Sequence, residues 1–291
     1  MTPVEGTFQR GGFSLRTIDV DGAGVPVVLL HGVSDGADGF VPTLKHLAGR
    51  HPATAVSLRG HGGSGFAGSY GLDDYAEDVE DLIDVRFGRP VVLAGHSLGS
   101  MIVPRIAVRR PDLAAGLLIE DSPYLGLISA DPATREFWFD AFRETQRVAA
   151  DRDDPDFVEQ VGALTAMIPG RDLRMRDLAS PRFIELRAAT LAQLDPTVFD
   201  PILAETLVAG FPPTQVASIT CPVSIVAGNP ALGGVMPDAD LAEWSRLLPQ
   251  ARVTVAEKAG HPIHQMPDPV RREYLAALDG LLDDVNETAT S

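Results

Sequence analysis

Cysteine is all but missing from this 291-residue chain, and the single one, Cys221, excludes an intrachain disulfide. It opens an apolar run, Cys221-Pro-Val-Ser-Ile-Val-Ala, with no basic neighbour to lower its pKa. A buried structural thiol is therefore expected, not a reactive one. Lysine is nearly as scarce: only Lys45 and Lys258 occur, and the other basic residues are arginines. Positive charge as a whole is in deficit, with 24 Lys and Arg against 40 Asp and Glu and a formal charge of -16. A field of that sign repels phosphate backbones and anionic lipid surfaces, which disfavours nucleic acid or a membrane as partner. No apolar run approaches the roughly 18 residues of a membrane span. The opening residues, Met1-Thr-Pro-Val-Glu-Gly, lack the basic and apolar regions of a secretory signal, so a cytoplasmic location is expected. There is no Walker loop, no G-x-G-x-x-G at a strand–helix junction and no zinc-type His/Cys cluster. Neither a metal nor an organic cofactor is expected.

What is present is an alternation of short apolar runs with longer helical patterns, the signature of a parallel sheet covered by helices. Strands are predicted over 25–30, 53–58, 90–94 and 115–120, and helices over 73–85 and 97–109. From Ser122 to Phe211 the rhythm changes: apolar residues follow helical spacing and no strand is predicted. Strand-like runs return at 223–227 and 252–256, and an amphipathic helix over 269–282 precedes a polar, frayed tail. The expected organisation is an α/β core, residues 1–121 and 212–291, whose mostly parallel central sheet is flanked by helices. A helical cap, 122–211, is inserted between the two blocks. The insertion leaves from the carboxyl end of a strand, the side on which open parallel sheets bind ligands.

The chemistry concentrates in Gly95-His96-Ser97-Leu98-Gly99, which matches G-x-S-x-G and lies between an apolar strand and a helix. A serine held in such a turn needs neighbours without Cβ atoms, and the helix behind it points free N–H groups at its hydroxyl. Three further motifs accompany it: His31-Gly32 after one strand, Arg59-Gly60-His61-Gly62-Gly63-Ser64 after the next, and Ala259-Gly260-His261 near the end. In this order they resemble the α/β-hydrolase superfamily across nearly the whole chain. The resemblance implies an α/β-hydrolase fold and a serine nucleophile, Ser97. The serine also argues against the dehalogenases and epoxide hydrolases of the same scaffold, which attack with aspartate.

A serine hydroxyl needs a base. Only His261 and His264 follow the last predicted strand, where the order serine, acid, histidine places it. The resemblance favours His261. The other histidines in glycine-rich motifs, His31 and His61, are read as loop-shaping groups, and His96 as pointing away from the cleft. The acid has more than one candidate. The commonest family position falls near Gly233 or Gly234 and holds no carboxylate. A minority pattern, resembling some haloalkane dehalogenases and zearalenone-type lactonases, takes the acid from the strand after the elbow helix. That strand ends here in Glu120-Asp121, two residues that alternation sends to opposite sides. Asp121 is preferred, with Asp238, Glu120 and Asp240 as alternatives. The resemblance implies the backbone N–H groups of Val33 and Leu98 as oxyanion donors, and Trp138 and Phe142 are candidate pocket residues. The expected activity is hydrolysis of an apolar carboxylic ester or lactone through an acyl-enzyme. Carbon–carbon bond hydrolysis and a slow-turnover binding or receptor protein are the alternatives. The oligomeric state is open, a homo-oligomer included.

Overall fold

The computed structural model describes residues 2–168 and 170–290, without the side chains of 289 and 290. Eight strands form one sheet: β1 (Val4–Arg10), β2 (Phe13–Val20), β3 (Val27–Leu30), β4 (Ala53–Val56), β5 (Val91–His96), β6 (Ala114–Glu120), β7 (Val223–Gly228) and β8 (Arg252–Ala256). Their order across the sheet is β1-β2-β4-β3-β5-β6-β7-β8. The β1–β2 and β2–β4 pairings are antiparallel and every other is parallel. This is the α/β, mostly parallel sheet expected from the alternation of apolar runs. Strands β3, β4, β5 and β7 are buried at every position, because helices cover both faces and leave no solvent side for a polar alternation.

The helices are α1 (Val41–Leu47), α2 (Leu72–Arg86), α3 (Leu98–Arg109), α4 (Tyr124–Ser129), α5 (Pro132–Ala150), α6 (Phe157–Ala163), α7 (Met175–Leu178), α8 (Pro181–Leu191), α9 (Asp200–Leu203), α10 (Pro213–Val216), α11 (Asp238–Leu247) and α12 (Arg271–Thr290). Leu44 and Leu47 of α1 join Tyr274, Leu278, Leu281 and Leu282 of α12 in the apolar cluster on one face of the sheet. The other face carries α2 and α3. Of the polar residues expected to fray, Asn286 to Ser291, those up to Thr290 instead form the end of α12; Ser291 lies outside the described residues.

Between β6 and β7 the described residues add no strand to the sheet; they make an isolated bridge, Thr165 to Arg174, among helices α4 to α10. Among the described residues this helical layer shares the apolar core of the sheet. Phe139, Val148, Val161, Leu191 and Phe199 belong to the same cluster as Leu93 and Ile119 of the sheet and Met101 of α3. Its ends are tied to each other, since the Tyr124 hydroxyl donates to the carbonyl of Phe211. It is also tied to the loops above the sheet: Tyr70 Oη donates to Asp195 Oδ2 at 2.5 Å, and Asp195 N–H to Gly60 O at 2.8 Å. Among the described residues no helix is long and apolar enough to cross a membrane.

Candidate active site

Sheet register brings the candidate residues together. Leu30 pairs with Gly95 and His96 with Glu120, so the residues that follow β3, β5 and β6 emerge side by side at the carboxyl edge. Ser97 N–H donates to Glu120 O at 3.1 Å, and Asp121 N–H to Val226 O at 2.8 Å. Ser97 sits at φ 52° and Asp121 at φ 41°, a left-handed region that non-glycine residues rarely adopt. Both residues therefore hold strained backbone at the point where their strands end. The turn around Ser97 explains its glycines. A Cβ on Gly95 would lie 2.2 Å from Gly99 O, and one on Gly99 would lie 2.2 Å from Leu30 O.

Asp121 is fully buried and satisfied by three donors. Its Oδ1 accepts from Gly228 N–H at 2.9 Å, while Oδ2 accepts from Val235 N–H at 3.0 Å and from His261 Nδ1 at 2.7 Å. A carboxylate only accepts, so His261 carries its proton on Nδ1 and keeps the Nε2 lone pair for another partner. The imidazole ring of His261 lies 4.5 Å from that of His96, the residue before Ser97. No hydrogen bond joins Ser97 Oγ to His261 Nε2 among the described residues. Ser97 keeps 8% of its surface exposed and the His261 side chain 29%. Such bonds are often long without substrate and tighten when it binds.

The usual acid position is closed by packing. A Cβ on Gly234 would stand 2.5 Å from the backbone of Gly228. This loop supplies the Val235 N–H to Asp121 instead of a carboxylate of its own. Asp238 is exposed at the first turn of α11. Asp240 is buried there without a partner for Oδ2, and burial pushes its pKa up. Neither bonds to His261.

Glu120 and His264 pair with each other. Glu120 Oε1 accepts from the backbone N–H of His264 at 2.8 Å and from its Nδ1 at 2.9 Å, and both side chains are fully buried. Strand alternation separates the Glu120 and Asp121 carboxylates as expected. The result is two acid–histidine pairs, of which only the Asp121–His261 pair retains exposure. His264 stacks on Phe40 at 4.2 Å, which seals it further.

The two N–H groups expected as oxyanion donors follow β3 and β5. Leu98 is the first residue of α3, and Val33 follows His31-Gly32. Among the described residues, neither N–H has an acceptor. A Cβ on Gly32 would come within 2.9 Å of Ser97 Cβ, so this loop touches the elbow. His31 shapes it: Leu58 N–H donates to His31 Nε2 at 2.9 Å, and His31 Nδ1 donates to Gly32 O at 2.7 Å. His61 Nδ1 donates to Arg59 O at 2.8 Å.

Trp138 and Phe142 are not joined to Ser97 or His261 by any hydrogen bond or ring contact among the described residues. The Trp138 ring lies against Gly126, and Phe142 lies 5.8 Å from Phe199. A hollow of about 330 Å³ among α4, α5 and the 201–213 segment touches neither residue of the Ser97–His261 pair. Cys221 is half-buried, and burial raises its thiol pKa to about 11. Among the described residues no group of three or more His, Cys, Asp or Glu is arranged to hold a metal ion.

Three buried histidines near the site set a pH dependence. Burial, reinforced by His31, lowers the His61 pKa from 6.5 to about 3. Burial likewise lowers His31, and it lowers His96 well below its ordinary value, with His261 adding to the effect. These groups stay neutral in the folded state while the unfolded chain binds protons below about pH 6.5. For His61 this stability is complete above that pH and falls by roughly 1.4 kcal/mol per pH unit as pH drops toward about 3; His31 and His96 act in the same direction. Urea midpoints at pH 7.5 and 5.0 should show this loss. His61→Asn keeps a donor for Arg59 O and should shrink it; an unchanged pH dependence would contradict the assignment.

A family model described as "Alpha/beta hydrolase family" matches residues 27–273. The 2-(acetamidomethylene)succinate hydrolase of Mesorhizobium japonicum is 28% identical over 255 residues, 84% of this chain and 84% of that enzyme. The (E)-2-((N-methylformamido)methylene)succinate hydrolase of Acinetobacter baylyi is 33% identical over 104 residues, and the match spans 35% of this chain and only 40% of that enzyme's length. The crystal structure of E-2-(acetamidomethylene)succinate hydrolase superposes with a TM-score of 0.67 at 23% identity, covering 97% of this chain and 99% of that one. With an eight-stranded, mostly parallel sheet and an elbow serine at its carboxyl edge, the chain belongs to the alpha/beta hydrolase family.

Proposed function

We propose that the protein is a serine hydrolase that cleaves a carboxylic ester or lactone through an acyl-enzyme, with Ser97 as nucleophile, His261 as general base and Asp121 as its orienting acid. The observation that carries this reading is the 2.7 Å bond between His261 Nδ1 and the fully buried Asp121. It fixes the tautomer in which Nε2 accepts a proton, and it stabilises the imidazolium that forms. Ser97 Oγ gives its proton to His261 Nε2 and attacks the carbonyl carbon. The tetrahedral oxyanion takes hydrogen bonds from the N–H groups of Leu98 and Val33, each worth about 10²–10³ in rate by analogy with known oxyanion holes. His261 then protonates the leaving alcohol, and a water activated by the same imidazole releases the acid. In this reading residues 122–211 act as a cap over the cleft.

A second reading, hydrolysis of a bond other than an ester by the same three residues, carbon–carbon cleavage included, is favoured by the relative named for 2-(acetamidomethylene)succinate. Both readings separate in a panel of 4-nitrophenyl esters, lactones and acetamidomethylene compounds, quenched early and analysed by intact mass. The ester reading predicts turnover of esters or lactones with an acyl adduct on the Ser97 peptide. Turnover confined to the acetamidomethylene compounds would support the second.

A further inference from the structure

From the helical layer Arg187, on α8, reaches the loop after β3, where Nη1 donates to Ser34 O and Nη2 to Ser34 Oγ. A guanidinium has five N–H donors. Three of those on Arg187 – Nε–H and one on each Nη – have no partner among the described residues. Arg187 also forms no ion pair among them. Burial pushes its pKa down, and Asp35 is the one carboxylate that opposes this. Asp35 is itself engaged, by Gly36 N–H at 2.9 Å and by Gln265 Nε2.

Arg59 shows what this chain does with an arginine that belongs only to the scaffold. Its guanidinium is held by both oxygens of Asp78, at 2.7 and 2.6 Å. Arg187 is only half-buried, and with no such counter-ion its remaining donors are free to take an acceptor from outside the chain. The place of Arg187 says what that is. Ser34 directly follows Val33, whose N–H is unpartnered among the described residues, and lies two residues from the glycine that touches Ser97. The charge on Arg187 is also felt at His61. The guanidinium therefore sits on the loop after β3 that also touches the Ser97 turn.

We propose that Arg187 binds a carboxylate carried by the substrate, so that the ester or lactone, otherwise apolar, is anionic at the end away from its scissile bond. This rests on the hydrolase reading above for the reaction, but not for the binding. A fork of N–H donors matches the two oxygens of a carboxylate.

The test pairs two chromogenic esters of equal length, 4-nitrophenyl hemiglutarate and 4-nitrophenyl pentanoate. Arg187→Met is expected to lower kcat/KM for the hemiglutarate by about 30-fold or more, chiefly through KM, and to leave the pentanoate within about 3-fold. Arg187→Lys keeps the charge and should recover part of the loss. Equal losses on both esters would reduce Arg187 to a support for the Ser34 loop and overturn the proposal, as would no loss on either. Calorimetric titration with glutarate in the Ser97→Ala background reads binding without turnover. Binding weakened about 10-fold or more by Arg187→Met supports the site even if esters prove not to be substrates. Absent binding, or binding that ignores the substitution, overturns it while leaving the hydrolase reading intact.

Discussion

Replacing Ser97 with alanine is expected to lower kcat by about 10⁴- to 10⁶-fold on any ester the protein turns over. The change removes one oxygen and little else. The Ser97 N–H bond to Glu120 O and the Ser100 N–H bond to Ser97 O, 3.1 and 3.0 Å, involve backbone atoms that alanine keeps. The melting temperature should therefore stay close to that of the wild type, and the loss belongs to the hydroxyl. What remains comes from the donors at Leu98 and Val33 and from substrate binding. A folded Ser97→Ala protein with ordinary turnover would rule out Ser97 as the nucleophile.

Asp121→Asn should lower kcat by about 10⁴-fold. The asparagine carbonyl can still accept from Gly228 N–H. Its amide group then faces two donors, Val235 N–H and His261 Nδ1–H, where the carboxylate accepted both. Relief comes from moving the imidazole proton to Nε2, which takes the lone pair away from Ser97. Asp238→Asn, on the exposed first turn of α11, should change kcat by less than about 3-fold, as surface substitutions do. Because the three residues act as a unit, the Ser97→Ala/Asp121→Asn double variant should be little worse than Ser97→Ala alone. Equal activity in Asp121→Asn and wild type would place the acid elsewhere in the cleft.

Six of the eight strands are legible in the sequence. Strands β3 to β7 are nearly continuous apolar runs between helices, and β8 is a short valine-rich run between turns. The two that are not, β1 and β2, form an antiparallel hairpin at the sheet edge. β1 has no buried residue, and its Glu5, Gly6, Gln9 and Arg10 carry little strand signal. Helix α1 is a seven-residue segment with proline in its first turn, too short for a periodic stripe. Helix α11 places only Asp240, Trp244 and Leu247 inward, which leaves a weak apolar pattern.

The site divides in the same way. Ser97 lies in a local motif, and Asp121 and His261 follow predicted strands at positions a known family pattern uses. The pairing of Glu120 with His264 depends on which residues β6 and the 263–265 turn bring together, and no local pattern in either segment carries that information. Arg187 gives no local signal either. On α8 it reads like the solvated arginines around it, and its character comes from a contact with Ser34, 153 positions away in the chain. Groups recruited across such separations are invisible to periodicity and motif alike.

Every step of the proposed chemistry needs an imidazole at residue 261 that can draw the proton from residue 97. A fluorophosphonate probe, followed by peptide mapping, measures that activation without knowledge of the substrate. Rapid labelling of Ser97 at one probe per chain, slowed by orders of magnitude in His261→Ala, is the predicted result. A folded wild-type protein that takes no probe, or takes it at another residue, would contradict it.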